Sequence, residues 1–335
     1  MSARVINPSG PIGLDIGSRW IKAVQLGRGP GGIRVPARWA AWPRLAPGTP
    51  MDASEASRAV DVLEARGFSG LRVVIGAAET LGATADLELP GGVSAQARHG
   101  VAVLEACRVM KLAPGSFELA LWELPKPARA GDGVQASAFA LTHDTAEALM
   151  NPLESTGMRV VGIDVASAAV ARQFAGPGVE TLDLSIDVGV AGARFSVASG
   201  GRIVYHRRLD ELGLAGLIEA CEERVRGCPR AAETAVDMLR LEAPGAKDVV
   251  AGLVAEAAVS VEYAWHRYPD REPGRVFVTG GGAWLVDAEA VAAEVGLAGA
   301  GAFPVCVPSG PEVAGGAGLP WMFSCAACLA AGSAA

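Results

Sequence analysis

Two stretches of this chain repeat one order of signals, and that repetition restricts the fold more than any other feature of the sequence. The first begins with an apolar run, Ile12 to Ile16, that contains Asp15 and is closed by Gly17. A second run, Ile21 to Leu26, follows, then a glycine-rich turn at 27–32 and a third run from Ile33 to Trp42. The other stretch is Thr181 to Val188, closing on Asp187-Val-Gly189, then Ala193 to Ala198, the turn Ser199-Gly-Gly201, and Ile203 to Leu209. Asp15 and Ile33 are 18 residues apart, Asp187 and Ile203 are 16 apart, and 172 residues separate the two aspartates. Short aliphatic runs divided by glycine turns predict strands joined as antiparallel meanders. A meander with an Asp-x-Gly turn that occurs twice predicts two α/β lobes built on one plan.

The segments between the meanders fit that plan. Ala53 to Arg66 has helical spacing, with Ala56, Val60 and Leu63 on one face, Asp52 or Ser54 as cap and Gly67 as stop. Leu71 to Gly76 reads as a buried strand. Residues 84–165 read as an insertion. It holds a strand, then a helix over 94–110, strands over 117–124 and 136–141, a surface turn at 125–133, a helix over 144–157 and a strand over 160–164. A helix over 166–174 and a break at Gly176 to Gly178 close the first lobe, placed at 11–178. The second lobe, 179–330, carries helices over 214–225, 229–241 and 248–268 in a helical subdomain at about 212–270. A buried strand, Arg275 to Thr279, then runs into Gly280-Gly281-Gly282, and a helix over 288–295 follows.

Composition limits the function. The chain has 335 residues, enough for two cores, and half of them are hydrophobic. With 29 Lys and Arg against 36 Asp and Glu, the net charge of -7 gives no general attraction for nucleic acid or anionic lipid. Met1 to Pro11 is polar and has no signal-peptide core. No apolar run reads as a membrane span; the nearest, 315–335, is broken by Pro320, and its second half reads as a terminal helix. Six scattered cysteines suit reduced cytosolic thiols, and Cys325-x-x-Cys328 has no second ligand pair at zinc spacing. The histidines, His99, His143, His206 and His266, are scattered too and read as surface or structural.

Three motifs carry chemistry. In Gly13-Leu-Asp-Ile-Gly-Ser-Arg-Trp-Ile-Lys22, the tight turn at Gly17 lets backbone N–H groups meet phosphate oxygens. Ser18 adds a hydroxyl donor, Arg19 a further cation, and Lys22 a point charge for a polyphosphate. Asp15 suits a hydrated Mg²⁺, which keeps most of its waters. Asp187-Val-Gly189 repeats the device in the second lobe, with Asp187 as a ligand to a metal-bound water or as a water-orienting base. Third, Gly280, Gly281 and Gly282 open a buried strand so that a nucleotide can lie on bare backbone.

In this order, the three motifs resemble the phosphate 1, phosphate 2 and adenosine motifs of the actin-like ATPase superfamily. Within it the chain looks most like the PilM family of type IV pilus assembly. Gly13-Leu-Asp-Ile-Gly-Ser with Lys22-Ala-Val-Gln-Leu26, Val276 to Ala283, Val160 to Val165 and Ala168 to Arg172 carry that resemblance. It implies an actin-like ATPase fold: two RNase H-like lobes of a duplicated βββαβα unit, an inserted α/β subdomain in the first, and ATP with Mg²⁺ in the cleft between them. It also implies a cytoplasmic protein, peripheral to the inner membrane, that binds the N-terminal segment of a PilN-like membrane protein and self-associates into dimers or rings. The neighbouring type II secretion platform usually carries its own membrane anchor. Arg19 and Trp20 stand where small hydroxyl residues are expected, Val190 replaces a small residue, and Ala193 stands where Thr is usual. Fewer donors mean weaker γ-phosphate positioning, so at most a slow ATPase is expected. Two alternatives stay open: a small-molecule kinase of the same superfold, for which no acceptor site is marked, and a nucleotide-free scaffold. Asp164 reads as a helix cap in preference to a third carboxylate near the attacking water.

Overall fold

A computed structural model describes residues 8–29, 34–126, 133–174, 180–219, 245–301 and 323–332. The expected turns at 27–32 and 125–133, the break at 176–178, most of the helices over 214–241, and Cys221, Cys228 and Cys306 lie wholly or partly outside those residues. The described residues fall into two units, 8–174 with 201–204 and 323–332, and 180–200 with 205–301.

The first meander forms as expected: β1 (Pro8–Ile16), β2 (Trp20–Arg28) and β3 (Arg34–Pro43). After helix α1 (Ala53–Ala65), β4 (Arg72–Ala77) pairs parallel to β1, giving the order β3-β2-β1-β4-β8 once β8 (Arg159–Val165) adds to the far side of β4. The Asp52 carboxylate caps α1, accepting from the Glu55 amide at 2.8 Å, and that bond holds its pKa below the ordinary value.

Alternation along each strand sends side chains to both faces of the sheet. Ile12, Leu14, Ile21, Ala23, Ala40, Trp42, Val73 and Ile75 face α1 and α3 (His143–Glu154). Val24, Leu26 and Val74 face the opposite way, toward α4 (Ala166–Ala171) and a helix from the chain's end, labelled α7 below (Ser324–Gly332). Trp39 and Trp42, three apart, therefore lie on opposite faces, Trp42 buried and Trp39 half-exposed.

The sequence reading ran the insertion to residue 165. Its own sheet is only β5 (Ala83–Leu89), β7 (Val134–Thr142) and β6 (Phe117–Glu123), in the order β5-β7-β6 under α2 (Ala95–Met110). The insertion ends at β7. Leu153 of α3 and Met158 sit in the main core, and β8 pairs with β4.

The second four-stranded sheet holds β9 (Thr181–Val188), β10 (Ala193–Ser199), β11 (Arg202–Leu209, in the second unit from Tyr205 onward) and β12 (Glu272–Thr279), in the order β11-β10-β9-β12. This is the order of the first four strands of the other sheet, with the same antiparallel and parallel pairings. Leu182, Leu184, Ile186 and Val188 of β9 are completely buried. Helix α5 (Ala246–Arg267) packs on β9 and β10, and α6 (Ala288–Val295) on β12.

The second lobe was expected to reach residue 330. Helix α7 belongs instead to the first unit. Its Ala-rich surface lies close on β1, where an added Cβ at Gly13 would be 1.9 Å from the Ala326 carbonyl oxygen. Among the described residues, no helix is long and apolar enough to cross a membrane.

Candidate functional site

The two Asp-x-Gly motifs sit at equivalent places, each at the carboxyl end of a strand paired parallel with a later one. In the first unit, the last ladder pairs of the β1–β2 hairpin are Asp15 with Lys22 and Ile16 with Ile21, so Gly17 to Trp20 form the turn. Residues directly opposite in a ladder project to the same face. Lys22 Nζ accordingly donates to Asp15 Oδ2 at 2.9 Å, with the two side chains 13% and 20% exposed. The turn closes with Gly17 N–H donating to the Trp20 carbonyl at 3.0 Å. Behind it, the amides of Arg44 and Gly48 donate to the carbonyls of Arg19 (2.9 Å) and Ser18 (2.8 Å). Asp15, Gly17, Ser18, Arg19 and Lys22 are thus gathered at one hairpin end.

In the second unit, Asp187 is opposite Arg194 on β10 and Thr279 on β12. Thr279 Oγ1 donates to Asp187 Oδ1 at 3.1 Å, and Arg194 Nη1 lies 3.8 Å from Asp187 Oδ2. The following turn closes with Gly189 N–H donating to the Gly192 carbonyl at 3.0 Å. Because β9 and β12 are parallel neighbours, both run out at the same edge, and the triple glycine emerges beside Asp187. Gly282 N–H donates to the Val188 carbonyl at 2.9 Å. Asp187, Gly189, Gly280, Gly281 and Gly282 form a second cluster, on this unit alone. Val190 and Ala193 keep structural places: the Val190 carbonyl accepts from Ala215 N–H at 3.1 Å, and Ala193 is fully buried opposite Val188.

The residues suit Mg²⁺ and a polyphosphate by chemistry. Each cluster offers one hard carboxylate, as a largely hydrated Mg²⁺ requires. Among the described residues, no group of three or more His, Cys, Asp or Glu side chains could form an all-protein metal cage. An added Cβ on Gly281 would meet nothing within 4 Å, so the backbone there is open to a planar ligand.

Thr279 and Arg194 escaped the sequence reading. Both become visible once β9 is known to lie between β10 and β12, because register alone then places them beside Asp187. Asp164 is not a cap. Helix α4 starts at Ala166 with Val165 at the N-cap position and no side-chain cap, and Asp164 pairs with the Arg172 guanidinium instead. In α7, Cys328 is fully buried, and burial pushes its thiol pKa far up, which suits a packing residue and not a reactive one.

Two sheets of one strand order, each led by a meander with an Asp-x-Gly turn, define the actin-like ATPase fold, and this chain has it. In particular, it matches a chain of the PilM–PilN type IV pilus biogenesis complex over its whole length. That alignment covers 98% of this chain and 100% of the other at a TM-score of 0.73, with 18% identity. The ethanolamine utilization protein EutJ from Carboxydothermus hydrogenoformans is more distant, at 14% identity, 97% and 92% coverage and a TM-score of 0.47. MreB5 of Spiroplasma citri bound to ADP aligns at 13% identity, 83% and 87% coverage and a TM-score of 0.43. No protein-family model matches the sequence, and no curated protein does. Fold without sequence match is what a core held by volume and pattern allows.

Proposed function

We propose that this protein binds MgATP and serves as a cytoplasmic assembly protein of a type IV pilus or related secretion or competence machine. The observation that carries the nucleotide half is the recurrence of the Asp-x-Gly turn at the end of the first strand of both sheets, with the triple glycine emerging against the second aspartate. Lys22, steered by Asp15, offers its charge to the phosphates. The Gly17–Arg19 turn and Ser18 supply donors, and Gly280 to Gly282 supply bare backbone. Asp15 and Asp187 would each be able to hold a magnesium ion through that ion's own water shell. Bound Mg²⁺ supplies charge neutralisation to the phosphates. Phosphoryl transfer depends mainly on positioning. One Asp187 oxygen already accepts from Thr279 and Ala193 brings no hydroxyl, so turnover is slow or absent.

The partner half rests on the full-length fold match to a PilM–PilN complex. The occupant is the N-terminal cytoplasmic segment of a PilN-like inner-membrane protein, and this contact would hold the chain at the membrane. Self-association belongs to the same proposal.

Calorimetric titration of MgATP into the wild type and into Asp15→Ala tests the first half. Binding that the substitution weakens supports it, and a folded wild type that takes no MgATP removes it. Titration with a synthetic N-terminal peptide of a PilN-like protein tests the second half. An interaction no stronger than with a scrambled peptide would remove that.

A further inference from the structure

The first Asp-x-Gly turn is backed by a buried ion pair. Arg44 and Glu55 are 5% and 3% exposed in their side chains, and the Arg44 fork donates to the Glu55 carboxylate through Nη2 at 2.6 Å and through Nε at 3.1 Å. Glu55 also accepts from the Leu45 amide at 2.9 Å, so one carboxylate grips both the side chain and the backbone of the segment after β3. Asp52 caps α1 at the Glu55 amide, which fixes the carboxylate's base. The gripped segment then holds the turn. Arg44 N–H donates to the Arg19 carbonyl at 2.9 Å, Gly48 N–H to the Ser18 carbonyl at 2.8 Å, and Arg44 Nη1 reaches the Gly17 carbonyl at 3.5 Å.

Three consecutive carbonyls are therefore drawn to one side. In a trans peptide the C=O and the N–H of the same unit point in opposite directions. Drawing the carbonyls of Gly17, Ser18 and Arg19 toward residues 44–48 turns the N–H groups of Ser18, Arg19 and Trp20 away from them. Successive N–H groups turned to a common side make an anion-binding concavity. We infer that Arg44 and Glu55 are positioning residues that aim the turn's amides at the phosphates. The inference rests on the nucleotide reading above and extends it to two residues that touch no ligand. A buried ion pair is weak evidence for stability, because apolar residues of similar volume often replace one without loss. A role in aiming the turn gives this pair a function that packing alone does not require.

The test is the double variant Arg44→Met/Glu55→Gln, which removes both charges, keeps the volume and leaves an acceptor for Leu45 N–H. Thermal unfolding checks that it folds. Amide hydrogen exchange over residues 17–20, in the nucleotide-free protein, reads the turn directly. Affinities for MgATP and for adenosine read its consequence. The expected result is a folded protein with faster exchange at 17–20, MgATP affinity reduced about tenfold as one or two charge-assisted hydrogen bonds are misaligned, and adenosine affinity unchanged. A general weakening would lower both affinities together. A folded double variant with unchanged exchange and unchanged MgATP affinity overturns the inference. Should the double variant fail to fold, Arg44→Lys carries the same test, since it keeps the charge against Glu55 but lacks the fork that reaches Gly17. A wild type that binds no MgATP defeats the nucleotide reading itself, and the pair is then only a clamp on the turn.

Discussion

Gly280, Gly281 and Gly282 are adjacent, yet packing opposes a side chain at Gly280 and Gly282 and leaves room for one at Gly281, so substituting each with Ala separates structure from function. Gly280 has φ +86, and an added Cβ would lie 2.5 Å from both Asp187 Oδ1 and the Val188 carbonyl oxygen. A left-handed backbone costs an alanine roughly 1–2 kcal/mol. Relieving the overlap with fixed backbone adds a further 1–3 kcal/mol or so. A Cβ on Gly282 would meet the tips of Val188 and Leu214 at 2.6 and 2.8 Å. Those side chains can shift, so about 1–3 kcal/mol is the whole penalty there. At Gly281 the Cβ meets nothing and φ lies outside the left-handed range. Alanine at that position changes stability by roughly +0.4 to +1 kcal/mol in the stabilising direction, through the unfolded chain. Urea unfolding should therefore rank the variants Gly281→Ala, Gly282→Ala, Gly280→Ala from most to least stable. MgATP titration should show Gly281→Val weakened although the protein remains folded, because the side chain would occupy the surface proposed for the nucleotide. If Gly281→Ala destabilises as much as Gly280→Ala, the packing argument fails. If Gly281→Val binds MgATP like the wild type, no nucleotide lies there.

Two further outcomes test the fold around the site. Gly13→Ala should destabilise the first unit by about 1–3 kcal/mol in urea unfolding, since its Cβ would press on the backbone of Ala326 and on the Ala330 amide, 2.6 Å away. Unchanged stability would mean that α7 does not pack there. Asp183, buried in β9, has its pKa raised above 3.8 by burial, against the lowering effect of the Arg275 amide (2.9 Å) and the Thr181 hydroxyl (3.1 Å). The native state then holds that proton more tightly than the unfolded chain does, so this group's contribution to stability falls as pH rises from 3.8 through the native value. Asp183→Asn should remove that falling contribution and make the net slope of stability against pH more positive over that window, and an unchanged slope would refute the assignment.

Much of the architecture was legible before any coordinates. The meanders, α1, and the strand ahead of Gly280 declare themselves through local periodicity and glycine placement, and those signals lie within a few residues of one another. The meeting of Asp15 and Lys22 was legible for the same reason, since they are seven positions apart and face each other across one tight hairpin. Boundaries that depend on distant pairing were not. Nothing in residues 143–165 says that α3 packs on α1 or that β8 adds to β4. Asp164 looked like a cap because caps are read from the next turn of chain, whereas its partner, Arg172, lies beyond that turn.

By itself, then, the sequence determined two α/β units of one plan, the two Asp-x-Gly turns and the glycine-bare strand end, because backbone conformation and alternation are local properties. Only the tertiary structure decided that Thr279 bonds Asp187, that Arg44 and Glu55 stand behind the first turn, and that α7 closes on Gly13. Strand order and the packing of chain ends come from contacts between residues far apart in sequence, and no local pattern records those contacts.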